Sequence, residues 1–245
     1  MKITLSCFFA LCLASCSPIY YAPNAHNVPL FKKKNDLKIA GHYSMGEDMK
    51  AIEIQTAYSF DSLFAFQING MHTIDNEKAN GSYLDFGIGH YKKLPYNWVF
   101  EFYVGFGTGV VNWLYGDSYS NYFGLDNPKS RVKFNKLFLQ PSIGYAGTNF
   151  NFAFSYKFGF LSYSSLSTNI PSDQWANYDL PLINGSSYLM SEPALTLRFG
   201  EELIKFHAQL GYSTSLQNND FKYNQDNWNL NFGLQFSLNK KTLGL

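Results

Sequence analysis

From Leu37 onward, apolar and polar residues alternate in ten stretches, roughly 37 to 46, 51 to 60, 63 to 74, 82 to 91, 98 to 111, 133 to 145, 150 to 161, 188 to 199, 203 to 215 and 227 to 238. Alternation with period two places successive side chains on opposite faces of a β-strand, so ten strands are predicted. The clearest is "FNFAFSYKFGF" at 150–160, with an aromatic at every second position. A tilted strand crosses a bilayer with about 9 to 11 residues, a length every stretch attains. The connections alternate short and long. Asp61-Ser62, "KKLPYN", "AGTN" and "GEE" are brief, whereas others include 112–132 and 162–187. Starting from a periplasmic amino end, every brief connection falls on the periplasmic side and every long one outside, the asymmetry of outer-membrane barrels.

The two faces differ in charge. One collects Leu37, Ile39, Ile52, Ile54, Phe64, Phe66, Leu84, Phe86, Phe100, Phe102, Leu137, Leu139, Leu195, Leu197, Phe206, Leu210, Phe232 and Leu234, with the aromatics of the 150–160 stretch. The other holds Lys38, Glu53, Asp85, Glu101, Lys136, Lys157, Glu192, Arg198 and Lys205, interspersed with Gln and Asn. A soluble barrel or sandwich would put its charges outside. A membrane barrel reverses this, since Lys or Arg on the lipid face costs about 2–4 kcal/mol at mid-depth while the lumen accepts charge. The expected fold is therefore a single all-β, antiparallel up-and-down transmembrane barrel of about ten strands, occupying residues 37–245. Pro141 and Pro193 fall inside strands, where they cannot donate to the ladder and should mark bulges or strand ends.

Composition agrees with this reading. Aromatics make up 18% of the 245 residues and charged residues only 15%, a β-rich palette poor in charge. With 19 basic against 18 acidic residues no overall field draws the chain to nucleic acid. No apolar run is long enough for a transmembrane helix.

The beginning, "MKITLSCFFALCLASC", has a basic start and an apolar stretch, the layout of a secretory signal over residues 1–15. Leu13-Ala14-Ser15-Cys16 has the form of a bacterial lipobox, whose cysteine is acylated and becomes the new amino terminus. Cys7 and Cys12 leave with the signal, so Cys16 is left as the sole cysteine and no internal disulfide forms. Residues 16–36 follow, with Pro18, Pro23 and Pro29 and a basic run at Lys32, Lys33 and Lys34. They read as an extended, lipidated tether on the periplasmic side. The expected partners are outer-membrane lipids.

At "YYAPNAHNVPLF", "FEFYVGFGTG", "FLQPSIGY" and "EPALTLRFG" the chain resembles small Bacteroidetes-type outer-membrane β-barrel lipoproteins of unknown function, over nearly the whole mature chain. The resemblance implies fold and location only.

The chemistry-bearing residues admit few constellations. The lumen charges can form a structural core of ion pairs across a narrow interior, or line a path for ions or solutes. Ser44 and His42 on the first strand, facing Glu53 on the second, are the sharpest candidate hydrolase set, without the G-x-S-x-G context of a nucleophile elbow. They read more simply as core polar groups. His207 is expected to be a hydrogen-bonded lumen residue, since no second histidine matches its phase and spacing, and neither metal nor cofactor is called for. The long loops "YGDSYSNYFGLDNP" and "STNIPSDQWANYDLPLINGSS" mix aromatics with Asn, Ser and Asp, as surfaces that contact extracellular protein or glycan do. Their tyrosines can equally pack a lid over the mouth. The expected role is structural or surface recognition, with a small channel or solute-uptake barrel as alternative and an outer-membrane hydrolase as the third.

Overall fold

The computed structural model describes residues 18–74, 79–115, 124–217 and 224–239; the lipobox and Cys16 lie outside them. The strands are β1 (Leu37–Met45), β2 (Lys50–Tyr58), β3 (Phe64–Thr73), β4 (Ala79–Lys93), β5 (Trp98–Leu114), β6 (Lys129–Ala146), β7 (Phe150–Thr168), β8 (Ser187–Gly200), β9 (Ile204–Tyr212), the two-residue β10 (Thr214–Ser215) and β11 (Trp228–Leu238). Each of β1 to β8 pairs antiparallel with the next, β8 pairs with β9, β9 with β11, and β11 with β1. β10 continues β9 along β8 after an interruption at Ser213. The result is a closed antiparallel barrel of ten walls, and closure leaves no unpaired sheet edge, as a strand in hydrocarbon requires.

The alternation resolves as the charge pattern requires. Phe154 is 49% exposed while its neighbour Ser155 is fully buried, and Leu84, Phe86, Leu137, Phe206 and Leu234 all point out. Bulky apolar side chains therefore cover the exterior continuously over the middle of every wall, far beyond the few hundred Å² that a water-soluble monomer exposes. Among the described strand residues, exposed charges lie beyond this band, at Lys50, Lys92 and Lys93 and in the column Lys129, Arg131 and Lys133 of β6. Lys133 lies within a predicted stretch and on its outward face; it marks the upper limit of the apolar zone.

The ends also differ. At one end the connections are short: 59–63, 94–97, 147–149 and 201–203. At the other, β5, β6 and β7 overshoot the apolar band, so the expected loops at 112–132 and 162–187 begin later than their loss of hydrophobicity suggests. Pairing continues because Ser130, Val132, Phe134 and Tyr163 still face a packed interior. The two prolines sit at gaps. The β6–β7 ladder lacks pairs at Gln140 and Pro141, and β8 changes partner from β9 to β10 beside Pro193.

Candidate functional site: the filled lumen

The segment before β1 is not a periplasmic tether. From Ile19 to Pro29 it runs extended through the barrel, Leu30 turns it through a left-handed conformation (φ 54°), and Tyr20, Tyr21, Ala25, His26, Asn27, Val28, Leu30 and Phe31 are all buried. Eleven extended residues at about 3.1 Å each reach about 34 Å, enough to cross the apolar band of the wall, about 25 Å in such barrels. The chain enters at the long-loop end, leaves at the short-turn end, and reverses through left-handed Asn35 into β1.

An extended segment has no internal backbone hydrogen bonds, so inside a barrel the wall must supply every partner or leave buried groups unmet at about 1–3 kcal/mol each. The inward polar residues supply many of these partners. The amide of Ala25 donates to Glu53 Oε2 (2.9 Å) and the Ala25 carbonyl accepts from Gln55 Nε2 (2.8 Å). His26 is bracketed by Gln209, which accepts from its amide (2.7 Å) and donates to its carbonyl (2.9 Å). The Asn27 carbonyl accepts from Gln140, that of Val28 from Arg198 Nη2 (2.8 Å) and that of Pro23 from Asn229, while the Phe31 amide donates to Glu101 Oε1 (3.0 Å). Pro18, Pro23 and Pro29 suit the segment because they favour extended backbone and bring no N–H to satisfy.

The lumen charges consequently differ from the expected mesh of mutual ion pairs. Among the described residues one buried pair joins two walls, Lys136 Nζ to Glu192 Oε2 at 2.6 Å, and Tyr21 lies across it, its hydroxyl donating to Glu192 and accepting from Lys136. Asp85 accepts from Asn24 (3.0 Å) and Asn69, and Lys157 donates to Asn24 Oδ1 (3.2 Å). Lys205 caps carbonyls of Thr148 and Gly200 at the short-turn end, where Lys38 is half-buried. The cause is the extended segment, whose amides and side chains compete for these charges at each level.

Ser44, His42 and Glu53 all face inward, but the triad geometry is not formed. The Ser44 hydroxyl meets Glu53 Oε1 (2.5 Å) and Asn231, and neither nitrogen of His42 has a hydrogen-bond partner among the described residues. His42 is therefore not hydrogen-bonded to the hydroxyl it would have to deprotonate. Instead His42 stacks on His207, ring centroids 4.1 Å apart. The expectation that His207 has no matching histidine is thus corrected. Barrel closure sets β11 alone between β1 and β9, and His42, Gly233 and His207 lie in one row across these three strands. A Cβ at Gly233 would fall within 2.8 Å of His42, so only glycine leaves room for the contact. Arg198 Nε donates to His207 Nδ1 (3.1 Å). No group of three or more His, Cys, Asp or Glu among the described residues could hold a metal.

The long-loop mouth is closed. Residues 170–183 fold inward through two short 3-10 turns (Ser172–Tyr178 and Leu180–Leu182), burying Ile170, Tyr178, Leu180 and Ile183 against Tyr20, Tyr115, Tyr163 and Tyr188. Tyr20 Oη contacts Tyr115 Oη (2.5 Å) and donates to the Tyr178 carbonyl (2.8 Å). Of the two roles open to this loop's tyrosine, the lid is the one observed; residues 116–123 of the other loop lie outside the described residues. Asp226 ties the rim together. Its carboxylate accepts from the amides of Asp48 (3.0 Å) and Met49 (3.1 Å), and its own amide donates to the Tyr21 carbonyl (2.9 Å). Burial pushes this carboxyl up to about 7, and nearby Asp48 and Glu47 push the same way.

The residues that sequence reasoning missed are those of the filling segment, above all Tyr20, Tyr21, Asn24 and His26. A signal existed. Inward Ala40, Ala57, Ala65, Gly87, Gly107 and Ala153 are too small to fill a ten-walled barrel, which is wider than the eight-stranded size that side chains close.

No family model and no curated protein matches the chain. Among solved structures it is similar to the amino-terminal β-barrel domain of Pseudomonas aeruginosa OprF (10% identity, 84% of this chain and 100% of that one, TM-score 0.38). It is likewise similar to the NanC porin (12%, 82% and 100%, TM-score 0.41) and to the translocator domain of the autotransporter NalP from Neisseria meningitidis (7%, 82% and 85%, TM-score 0.44).

Proposed function

We propose that the chain is an outer-membrane β-barrel lipoprotein, acylated at Cys16, whose barrel is a sealed platform presenting its long-loop end to the outside. The observation that carries this reading is the lumen itself. Residues 19–31 fill it from one end to the other, hydrogen-bonded to wall side chains at Ala25, His26, Asn27, Val28 and Phe31, and the lid of 170–183 covers its mouth. A conducting path needs a continuous file of water or weak sites, and here the polar groups that would line it are committed to a resident peptide. What the platform offers to a partner is largely polar: Ser172, Asp173 and Asn177 on the lid, and Asn184 just after it, are exposed. The role is structural support or recognition at that surface.

Planar-bilayer recording tests it. The full-length protein should give no discrete conductance, and replacing residues 22–29 with a Gly-Ser linker should produce it; discrete conductance from the intact protein would overturn the reading. A second reading, a channel whose filling segment moves aside, is favoured by one observation: the segment is held at mid-depth largely by hydrogen bonds to amide and carboxylate side chains rather than by apolar packing. It requires conductance that appears in steps and changes when Arg198 is neutralised.

A further inference from the structure

The direction in which the segment threads the barrel has a consequence for the membrane anchor. We infer that the amino terminus, with the lipid attached at Cys16, is delivered through the barrel to the long-loop side and anchors in the outer leaflet, not in the periplasmic one.

The first described residues are fixed at that end. The Pro18 carbonyl accepts from Asn224 Nδ2 (3.0 Å), whose side chain also donates to Asp179 in the lid (3.1 Å). The Tyr20 amide donates to the Asn224 carbonyl (2.7 Å), Tyr21 forms a parallel bridge with Gln225, and the Tyr163 hydroxyl donates to the Tyr20 carbonyl (3.2 Å). Asn224 and Gln225 belong to the connection between β10 and β11, and Asp179 to that between β7 and β8, both on the long-loop side. Cys16 is two residues before Pro18, and two residues span at most about 7 Å. The short-turn end is the length of the barrel away, about 34 Å along the extended run from Ile19 to Pro29. An acyl chain on Cys16 cannot reach the leaflet at the short-turn end while Tyr20 and Tyr21 hold these positions.

The modification is ordinary lipoprotein chemistry. A glycerophospholipid gives its diacylglyceryl group to Cys16 Sγ: the C–S bond forms as the C–O bond to phosphate breaks, and the thiol proton leaves with the phosphoglycerol. Water then cleaves the Ser15–Cys16 peptide bond. Nothing in these steps requires a folded barrel, so the lipidated segment is available for the walls to close around it. Two or three acyl chains on one cysteine hold stably to a bilayer; the barrel would thus be gripped by its own walls and, at its outer rim, by the terminus it encloses.

This inference rests on the outer-membrane reading, and the test separates the two. A short epitope is inserted between Ser17 and Pro18 in the full-length chain. A second variant carries the same epitope in the lid at Asn177, and a third carries it after Asn239 at the short-turn end. Heat-modifiable migration on gels confirms each barrel as folded. Antibody staining of intact cells is compared with staining after the outer membrane is permeabilised, and each variant is labelled with an alkyne palmitate analogue. The inference expects the 17/18 and 177 epitopes to stain equally before and after permeabilisation, the 239 epitope to stain only after it, and palmitate labelling to be lost in Cys16→Ala. A 17/18 epitope that stains only after permeabilisation, with the 177 epitope visible on intact cells, overturns the inference and leaves the outer-membrane reading intact. Absence of both signals from intact cells overturns the outer-membrane reading, and palmitate labelling that persists in Cys16→Ala overturns the anchor.

Discussion

The outer face of the wall and the segment inside it are built on opposite rules. Outside, the residues serve a featureless solvent: Phe154, Leu137, Phe86 and Leu234 need only be apolar, and each is interchangeable with another large hydrophobe. Inside, polar residues are placed for particular groups of the segment. Glu53 is placed for the amide of Ala25, Gln209 for both sides of His26, and Glu101 for the amide of Phe31. A face that meets lipid tolerates substitution by class. One that meets a fixed peptide discriminates atom by atom.

That contrast can be strained at several points. The largest effect is expected where a lumen charge loses its partner. Lys136→Met leaves the buried Glu192 carboxylate without its cation and should cost about 3–5 kcal/mol, read as a fall in the urea midpoint of the folded, heat-modifiable form. A charge placed on the lipid face comes next. Phe154→Arg should cost about 2–4 kcal/mol and impair membrane assembly, whereas Phe154→Leu should be nearly silent. If Phe154→Arg assembles normally, the exterior is not in hydrocarbon.

A smaller loss is expected from Asn24→Ala, which removes the amide that joins Asp85 to Lys157. Leaving those two groups short of one partner each should cost about 1–3 kcal/mol, measured by the same denaturation. The change alters no residue of the wall, so any loss registers the segment alone.

The smallest effect is one of pH at the rim. The Asp226 carboxyl is raised from 3.8 to about 7, so between these values the folded state holds a proton that the unfolded chain has released. The contribution is fully present below pH 3.8 and is lost as pH rises through about 7. Protection of the Asp48 and Met49 amides against hydrogen exchange should fall over that window in the native protein and stay flat in Asp226→Asn. Rising protection over the same window would reverse the sign.

How much of this the sequence disclosed follows from the same contrast. Solvent-facing periodicity is a statistical property, repeated across ten stretches, and it survives single exceptions such as Lys133 and the two in-strand prolines. Strand number, face assignment and the short turns were accordingly legible. Pairings of one residue with one residue are not periodic. Nothing in "YYAPNAHNVP" announces that its amides meet Glu53 and Gln209, and prolines that read as a solvated tether suit a lumen equally well, since both settings favour extended chain. Nor does one-dimensional spacing bring His42 to His207, which lie far apart in sequence and become near neighbours only when the barrel closes.

The central claim, that residues 19–31 occupy the lumen, is tested most directly by bridging the segment to an inward wall position. With Cys7, Cys12 and Cys16 all replaced by alanine the chain has no native thiol, and His26→Cys with Ser155→Cys introduces two at positions whose native side chains lie 2.7 Å apart. Dibromobimane, which fluoresces when it links two nearby thiols, should label this pair in folded barrels in the membrane and should fail with His26→Cys paired to the outward Phe154→Cys. Free thiols at both His26→Cys and Ser155→Cys, or bridging only to Phe154→Cys, would contradict the account.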